Sequence, residues 1–427
     1  MPRWYVARVP VSRARISWSL TAALLVAALV GAVAIPGAPR NELVTTTPVP
    51  DDPVPAPLRG ATGVLEDVTV ADGAVTLTGW AVDFDRPDAD AVRVSIDGVF
   101  QGTFPADDQR IDVDVALGRG ADHGFTVTVP LAGDDPQTVC VHTSPDDDLV
   151  ACSRVAGPSQ LGVLITERDI MVEVLEVLDD GYRVLTPCGN EAVVADGRRV
   201  GSTQILIDPG HGGSEVAAVG PNGLGEKSLN LDVAKRTAAV LRGMGYSVEL
   251  TRTTDIRIPI AVRAGLANAL EPDLFLSLHH NGGALARSSV PGTQVYYQHD
   301  DDESRRLAGI LYEEMFAAAL EFPTAWVGNA LDGVSTRLND RGTDFYGIHR
   351  RTPEVTSIIT EFLWLSNGAE AALLARDDVR EAEANAIATG IDRWYRTEHA
   401  GSGYLSPFVD TFDSGGGGFD GCVDPRL

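Results

Sequence analysis

The chain has 427 residues, 34 Lys+Arg against 60 Asp+Glu, and a formal charge of −26. That acidity argues against nucleic acid, whose phosphates are held by clustered Lys and Arg, and against passive adhesion to an anionic membrane or polymer. With 44% hydrophobic residues, and 44 Gly and 25 Pro that follow no period, it is neither collagen-like nor wholly disordered. At roughly 100–200 residues per domain the length suits two to three domains.

In chain order, Arg3, Arg8, Arg13, Arg15 and Arg40 are the only charges before Glu42. Residues 16–35 (ISWSLTAALLVAALVGAVAI) form an uncharged apolar run. As a helix it would span about 30 Å, enough to cross the hydrocarbon of a bilayer. The four arginines before the run would keep the N-terminus on the cytoplasmic side. Two readings fit: a cleaved signal peptide ending at Ala32-Val33-Ala34, or a signal anchor joining the chain to the membrane, which the length of the run favours. Either way the remainder is exported, to an extracytoplasmic place in the cell envelope. Residues 36–58, rich in Pro, Thr and Asp, read as a semi-extended linker.

From 60 to 156, short runs such as VTLTGWAV, AVRVSIDG, GFTVTVP and TVCVHTS alternate apolar with polar residues between Asp/Gly/Pro turns. This pattern predicts an antiparallel β-sandwich-like accessory domain. The pieces Gly79-Trp80-Ala81, Asp83, Asp85, His123-Gly124-Phe125, Cys140-Val141 and Cys152 resemble Gly-Trp-type β-rich modules of secreted actinobacterial proteins. Trp80 reads as a core tryptophan in preference to a sugar-stacking one. In an exported chain the four cysteines read as disulfides, Cys140–Cys152 by proximity and therefore Cys188–Cys422. Residues 160–200 read as a β-rich connector, and 397–427 as a Gly-rich tail, flexible except where Cys422 pins it.

From 204 onward, strands that are apolar throughout (QILID, DLFLSL, VTSIIT) alternate with helical stretches (228–245, 302–321, 377–396). This predicts an α/β domain with a mostly parallel sheet covered by helices on both faces. In such sheets ligands bind beyond the carboxyl ends of the strands. There the chain places His211 after QILID, His279-His280-Asn281 after DLFLSL, and Glu361 after VTSIIT, with Glu226 at the entrance of a helix. Two imidazoles and a carboxylate with one position left open form the donor set of catalytic zinc.

The motifs ILIDPGHGG, GLGEKSLNLDVAKRTAAVLRGMGYSVELTR, RAGLANALEPDLFLSLHHNG, GTQVYY and IITEFLWLSN resemble, in order and spacing, the zinc-dependent N-acetylmuramoyl-L-alanine amidases. The resemblance covers 204–396 and implies a catalytic domain that cleaves between muramic acid and the stem peptide of peptidoglycan. It implies that His211, Glu226 and His279 bind Zn²⁺ and that Glu361 is catalytic. His280 stands where the family carries a small residue, and Glu215 where it carries Asp. His280, Asn281, His349 and Arg350 are candidates for substrate contact. Peptidoglycan is then the expected partner, with a protein regulator also conceivable. The other readings are a non-catalytic wall-binding or regulatory protein, and a zinc peptidase acting within the stem.

Overall fold

The computed structural model describes residues 61–427 apart from 72, 87–89, 133–136, 146, 156–159, 284–285 and 412–416. The apolar run 16–35 and the linker 36–58 lie outside the described residues. Among the described residues no helix is long and apolar enough to cross a membrane.

Two four-stranded sheets occupy residues 61–155. One orders Ala61–Ala71, Ala74–Asp83, Asp122–Pro130 and Asp108–Gln109; the other orders Val99–Ala106, Asp90–Ile96, Gln137–Ser144 and Leu149–Val155. Every pairing in both is antiparallel. Val75, Leu77, Phe125 and Val127 from the first meet Val92, Val94, Val139 and Val141 from the second in one core, which is what period-two alternation produces when two sheets stack. In Ala74–Asp83 the positions 75, 77, 79 and 81 are buried. Trp80 therefore falls on the opposite face, half-buried and outside the core, contrary to the expectation of a core tryptophan. Cys140 lies opposite Cys152 across a hairpin and is bonded to it, with S–S 2.04 Å.

Residues 163–200 form a five-stranded sheet whose Val163, Met171 and Val200 share a core with Leu206, Leu266, Leu270, Phe275 and Ile359. The stretch expected as a connector thus covers one face of the main sheet.

That main sheet is built from β1 (Ile205–Pro209), β2 (Val248–Leu250), β3 (Leu274–Asn281), β4 (Gln294–Tyr297), β5 (Gly333–Ser335) and, beyond the two-residue β6 (Arg337–Leu338), from β7 (Ser357–Trp364). Its spatial order is β2-β1-β3-β7-β4-β5. The helices are α1 (Glu226–Gly243), α2 (Ile260–Leu270), α3 (Asp302–Leu320), α4 (Gly347–Arg351), α5 (Gly368–Leu374) and α6 (Asp377–Arg396). Ile205, Ile207 and Leu276 pack under Val233 of α1, Leu311 of α3 and Ile387 of α6. Leu206, Phe275 and Ile359 pack on α2 and α4. Helices on both faces make every β1 residue buried, which explains its continuous apolar run.

The expected mostly parallel sheet is corrected to a mixed one. β1, β2, β3 and β7 run parallel, but β4 pairs antiparallel with β7, and β5 follows β4. The physical reason lies between Asn281 and Gln294, where no helix is formed among the described residues. Without a crossover the chain returns in the opposite direction.

In the tail the expected Cys188–Cys422 bond is present, and pairing extends beyond that pin. β8 (Phe408–Val409) pairs with β6. Cys422 is bonded to Cys188, S–S 2.00 Å, and Asp424 accepts hydrogen bonds from Cys188 N at 2.8 Å and Asn190 Nδ2 at 2.7 Å.

Candidate active site

The carboxyl ends of β1, β3 and β7 lie side by side, and the first to carry a chemical group is β1. Two residues past its end, His211 holds φ 61°, a left-handed conformation unusual outside glycine. Two buried arginines fix this turn by taking its carbonyls. Arg252 donates to Pro209 O at 2.9 Å and Gly210 O at 3.0 Å; Arg263 donates to Pro209 O at 2.9 Å and His211 O at 2.6 Å. Arg263 also pairs with buried Asp208, which accepts from Thr251 Oγ1 at 2.6 Å and Ser277 Oγ at 2.8 Å. Burial alone would raise the Asp208 carboxyl, but Arg263 and the two hydroxyls hold it below the usual range. Gly210 is required on steric grounds, since a Cβ there would lie 2.2 Å from the His279 ring.

Glu226 opens α1. Its Oε2 accepts from Ala218 N at 3.1 Å, which fixes the carboxylate. Oε1 then stands 3.2 Å from His211 Nε2 and 3.1 Å from His279 Nδ1. The two imidazoles meet edge to face with centroids 4.7 Å apart. His211 Nδ1 lies 3.1 Å from Glu215 Oε1, so Glu215 fixes the ring and turns Nε2 toward the cluster. One donor atom from each of His211, Glu226 and His279 lies within 4.8 Å of the others. Two nitrogens and a carboxylate oxygen, one imidazole backed by a carboxylate, fit a catalytic zinc ion with an open fourth position.

On the next strand Glu361 is paired with His279, and across it with Gln294 of β4. Its Oε2 is buried with no hydrogen-bond partner among the described residues. Burial, reinforced by the Glu226 charge, pushes the Glu361 carboxyl well up, with His211 and Arg337 opposing. His211 moves the other way from what burial favours: hydrogen bonds to Glu215 and Glu226 raise it to about 9 in the metal-free protein. His279 is lowered by burial. His211, Glu226, His279, Asn281 and Glu361 all line one cavity of about 360 Å³.

The remaining expected residues divide. Asn281 is in the cavity, its Nδ2 buried and unpartnered. The side chain of His280 points elsewhere. Strand alternation sends it to Asn230 Oδ1 at 2.8 Å and Glu383 Oε2 at 3.1 Å, fully buried, which separates the two adjacent histidines. His349, on α4, is buried outside the cavity lining, and burial lowers it to about 3, so it stays neutral. Arg350 is exposed and donates to Asp344 O at 2.6 Å and to Phe345 O, likewise outside the lining. Neither His349 nor Arg350 joins the site. The sequence reading also passed over Arg252, Arg263, the role of Glu215, and the cavity residues Arg337, Tyr346, Phe408 and Asp410. For Glu215 a signal existed, its position four residues after His211; for the others, drawn from distant segments, there was none.

Residues 205–393 match the Amidase_3 family, described as N-acetylmuramoyl-L-alanine amidase. The chain is 32% identical over 216 residues to the uncharacterised protein YqiI of Bacillus subtilis, covering 49% of this chain and 91% of that one. It is 31% identical over 223 residues to N-acetylmuramoyl-L-alanine amidase AmiC of Neisseria meningitidis, covering 45% of this chain and 53% of that one. Among solved structures, the N-acetylmuramoyl-L-alanine amidase of Clostridium difficile 630 is 23% identical, with TM-score 0.40, over 46% of this chain and 99% of that one. Residues 205–393 thus carry an Amidase_3 domain, the domain described as N-acetylmuramoyl-L-alanine amidase.

Proposed function

We propose that the chain is a zinc-dependent hydrolase of the amide between N-acetylmuramic acid and L-alanine in peptidoglycan, acting outside the cytoplasm in wall remodelling or cell separation. The observation that carries this reading is the convergence of His211, Glu226 and His279 beside Glu361 in one cavity. His211, Glu226 and His279 would hold the zinc ion. The ion supplies Lewis-acid polarisation of the scissile carbonyl and lowers the pKa of a water to about 7. Glu361 takes the proton of the attacking water and returns it to the L-alanine nitrogen as the C–N bond breaks, a step worth roughly 10²–10⁴-fold. Asn281 Nδ2 offers a donor to a substrate carbonyl.

Two disulfides support an oxidising, exported setting. The domain division at about 60–156, 160–200 and 204–396 is part of the same proposal, with the sandwich as an accessory module. The test is digestion of purified peptidoglycan by the purified protein, with and without chelator, read by mass spectrometry. Free muramic lactyl groups with new N-terminal L-alanine support the reading. Cleavage inside the stem would assign a peptidase, and zinc-loaded protein giving no product would assign a wall-binding protein.

A further inference from the structure

In a cavity that also holds Glu226, Glu361 and Asp410, Arg337 is the only Lys or Arg among the described lining residues. Its guanidinium carbon lies 3.8 Å from the Phe345 ring centroid and 5.4 Å from that of Tyr346. Nη1 donates to Tyr346 Oη at 3.2 Å, and Nε is buried with no partner among the described residues. The remaining direction is taken by Asp410, whose Oδ2 accepts from Nη2 at 2.5 Å. Asp410 comes from the tail, 73 residues further along the chain.

That tail is tied down on both sides of the cleft. Before Asp410, Phe408 and Val409 are in parallel register with Arg337 and Leu338, and Asp410 N donates to Leu338 O at 2.8 Å. After it, Gly417 O accepts from Ile260 N at 2.9 Å, Gly418 O from Arg257 Nη2 at 2.8 Å and Gly421 O from Ser214 Oγ at 2.9 Å. The Cys188–Cys422 bond then closes the strap. Ser214 belongs to the loop that carries His211, so residues on either side of 412–416 are bonded to the Arg337 wall and to the ligand wall.

A planar guanidinium on an aromatic shelf is a receptor for a carboxylate, and here one of the protein's own carboxylates fills it. We propose that Arg337 reads a free carboxylate on the peptide portion of the substrate, and that Asp410, held by the latched tail, is a built-in competitor for that place. The proposal rests on the amidase reading. Both side chains are partly open to solvent, 21% and 30%, so the pair is weak enough to be exchanged by an incoming acid. Apparent affinity for an acidic substrate is then the intrinsic affinity multiplied by the fraction of Arg337 not engaged by Asp410. An amidated peptide gains nothing from displacing it.

The test compares kcat/KM for two probes, N-acetylmuramoyl-L-alanyl-D-glutamate and its diamide, in the wild type, Asp410→Asn and Arg337→Gln, each checked for native circular dichroism. Asp410→Asn should raise the ratio of kcat/KM for the free acid to that for the diamide about two- to fivefold, through KM. Arg337→Gln should bring the acid-to-diamide ratio close to one. An unchanged ratio in Arg337→Gln, or an equal loss on both probes in Asp410→Asn, would overturn the proposal and leave a structural ion pair. If the wild type cleaves neither probe nor purified peptidoglycan, the amidase reading itself fails. Calorimetry with the free dipeptide L-alanyl-D-glutamate then still decides the inference. Tighter binding to Asp410→Asn than to wild type supports it, and equal binding refutes it.

Discussion

The two walls of the cleft are made differently. One is the carboxyl edge of parallel strands, where His211 lies two residues past the end of β1 and His279 and Glu361 are paired with one another toward the ends of β3 and β7. Its geometry is fixed by the same hydrogen bonds that build the sheet, and by Arg252 and Arg263 beneath it. The other wall gathers Arg337, Tyr346, Phe408 and Asp410 from loops and a tail, joined by a two-residue pairing and a disulfide. The difference teaches where precision is needed: the atoms that meet within 4.8 Å come from strand ends and the start of α1, while the groups proposed to face the substrate come from segments joined by few pairings.

The sharpest way to break this contrast is on the ligand wall. His211→Ala should lose stoichiometric zinc and fall to background activity, whereas Arg337→Gln should keep its full metal content; metal analysis of the two purified proteins separates the walls. Next in size is the support under the ligand wall. Arg263→Met leaves Asp208 as an uncompensated buried charge and should cost about 3–5 kcal/mol in urea unfolding. Adding Asp208→Leu should recover much of that loss; a single variant as stable as wild type would show that the pair does not anchor the turn.

Smaller again is the tuning of His211. Glu215→Gln should weaken zinc binding by roughly 10–100-fold. The metal-free His211 keeps its proton up to about pH 9, so zinc must displace a proton at neutral pH. Apparent affinity therefore climbs as pH rises toward 9 and falls as pH drops. In Glu215→Gln that climb should end at a lower pH, a difference that competition with a chromophoric chelator from pH 6 to 9 resolves. The smallest effect belongs to the second wall. Cys188→Ser/Cys422→Ser should change activity by less than about fivefold, yet speed hydrogen exchange at the Asp410 amide, because the strap loses one of its ties. Unchanged exchange there would mean the strap is held by its hydrogen bonds alone.

These walls also differ in how far they could be read from the amino acids. The strand-end histidines and Glu361 were legible because a buried parallel strand leaves a continuous apolar run and its ligands follow at once, as in ILIDPGH. The alternation of residues 74–83 was legible for the sandwich, but not which face Trp80 would take. The direction of β4 was missed, since the decisive fact is the lack of a crossover helix before it. His349 and Arg350 were singled out by proximity in sequence to Glu361, but α4 turns them away from the cavity. Arg252 and Arg263 look like any surface arginine on a helix or strand edge; only the carbonyls of a left-handed turn explain their burial. Arg337 and Asp410 meet through a pairing that no local pattern announces.

The most direct test of the central claim compares wild type with Glu361→Gln at equal bound zinc, measuring release of N-terminal L-alanine from peptidoglycan. The account predicts one zinc per chain and cooperative unfolding in both proteins, and a rate lower by roughly 10²–10⁴-fold in the variant. A Glu361→Gln protein that releases L-alanine at near the wild-type rate would contradict it.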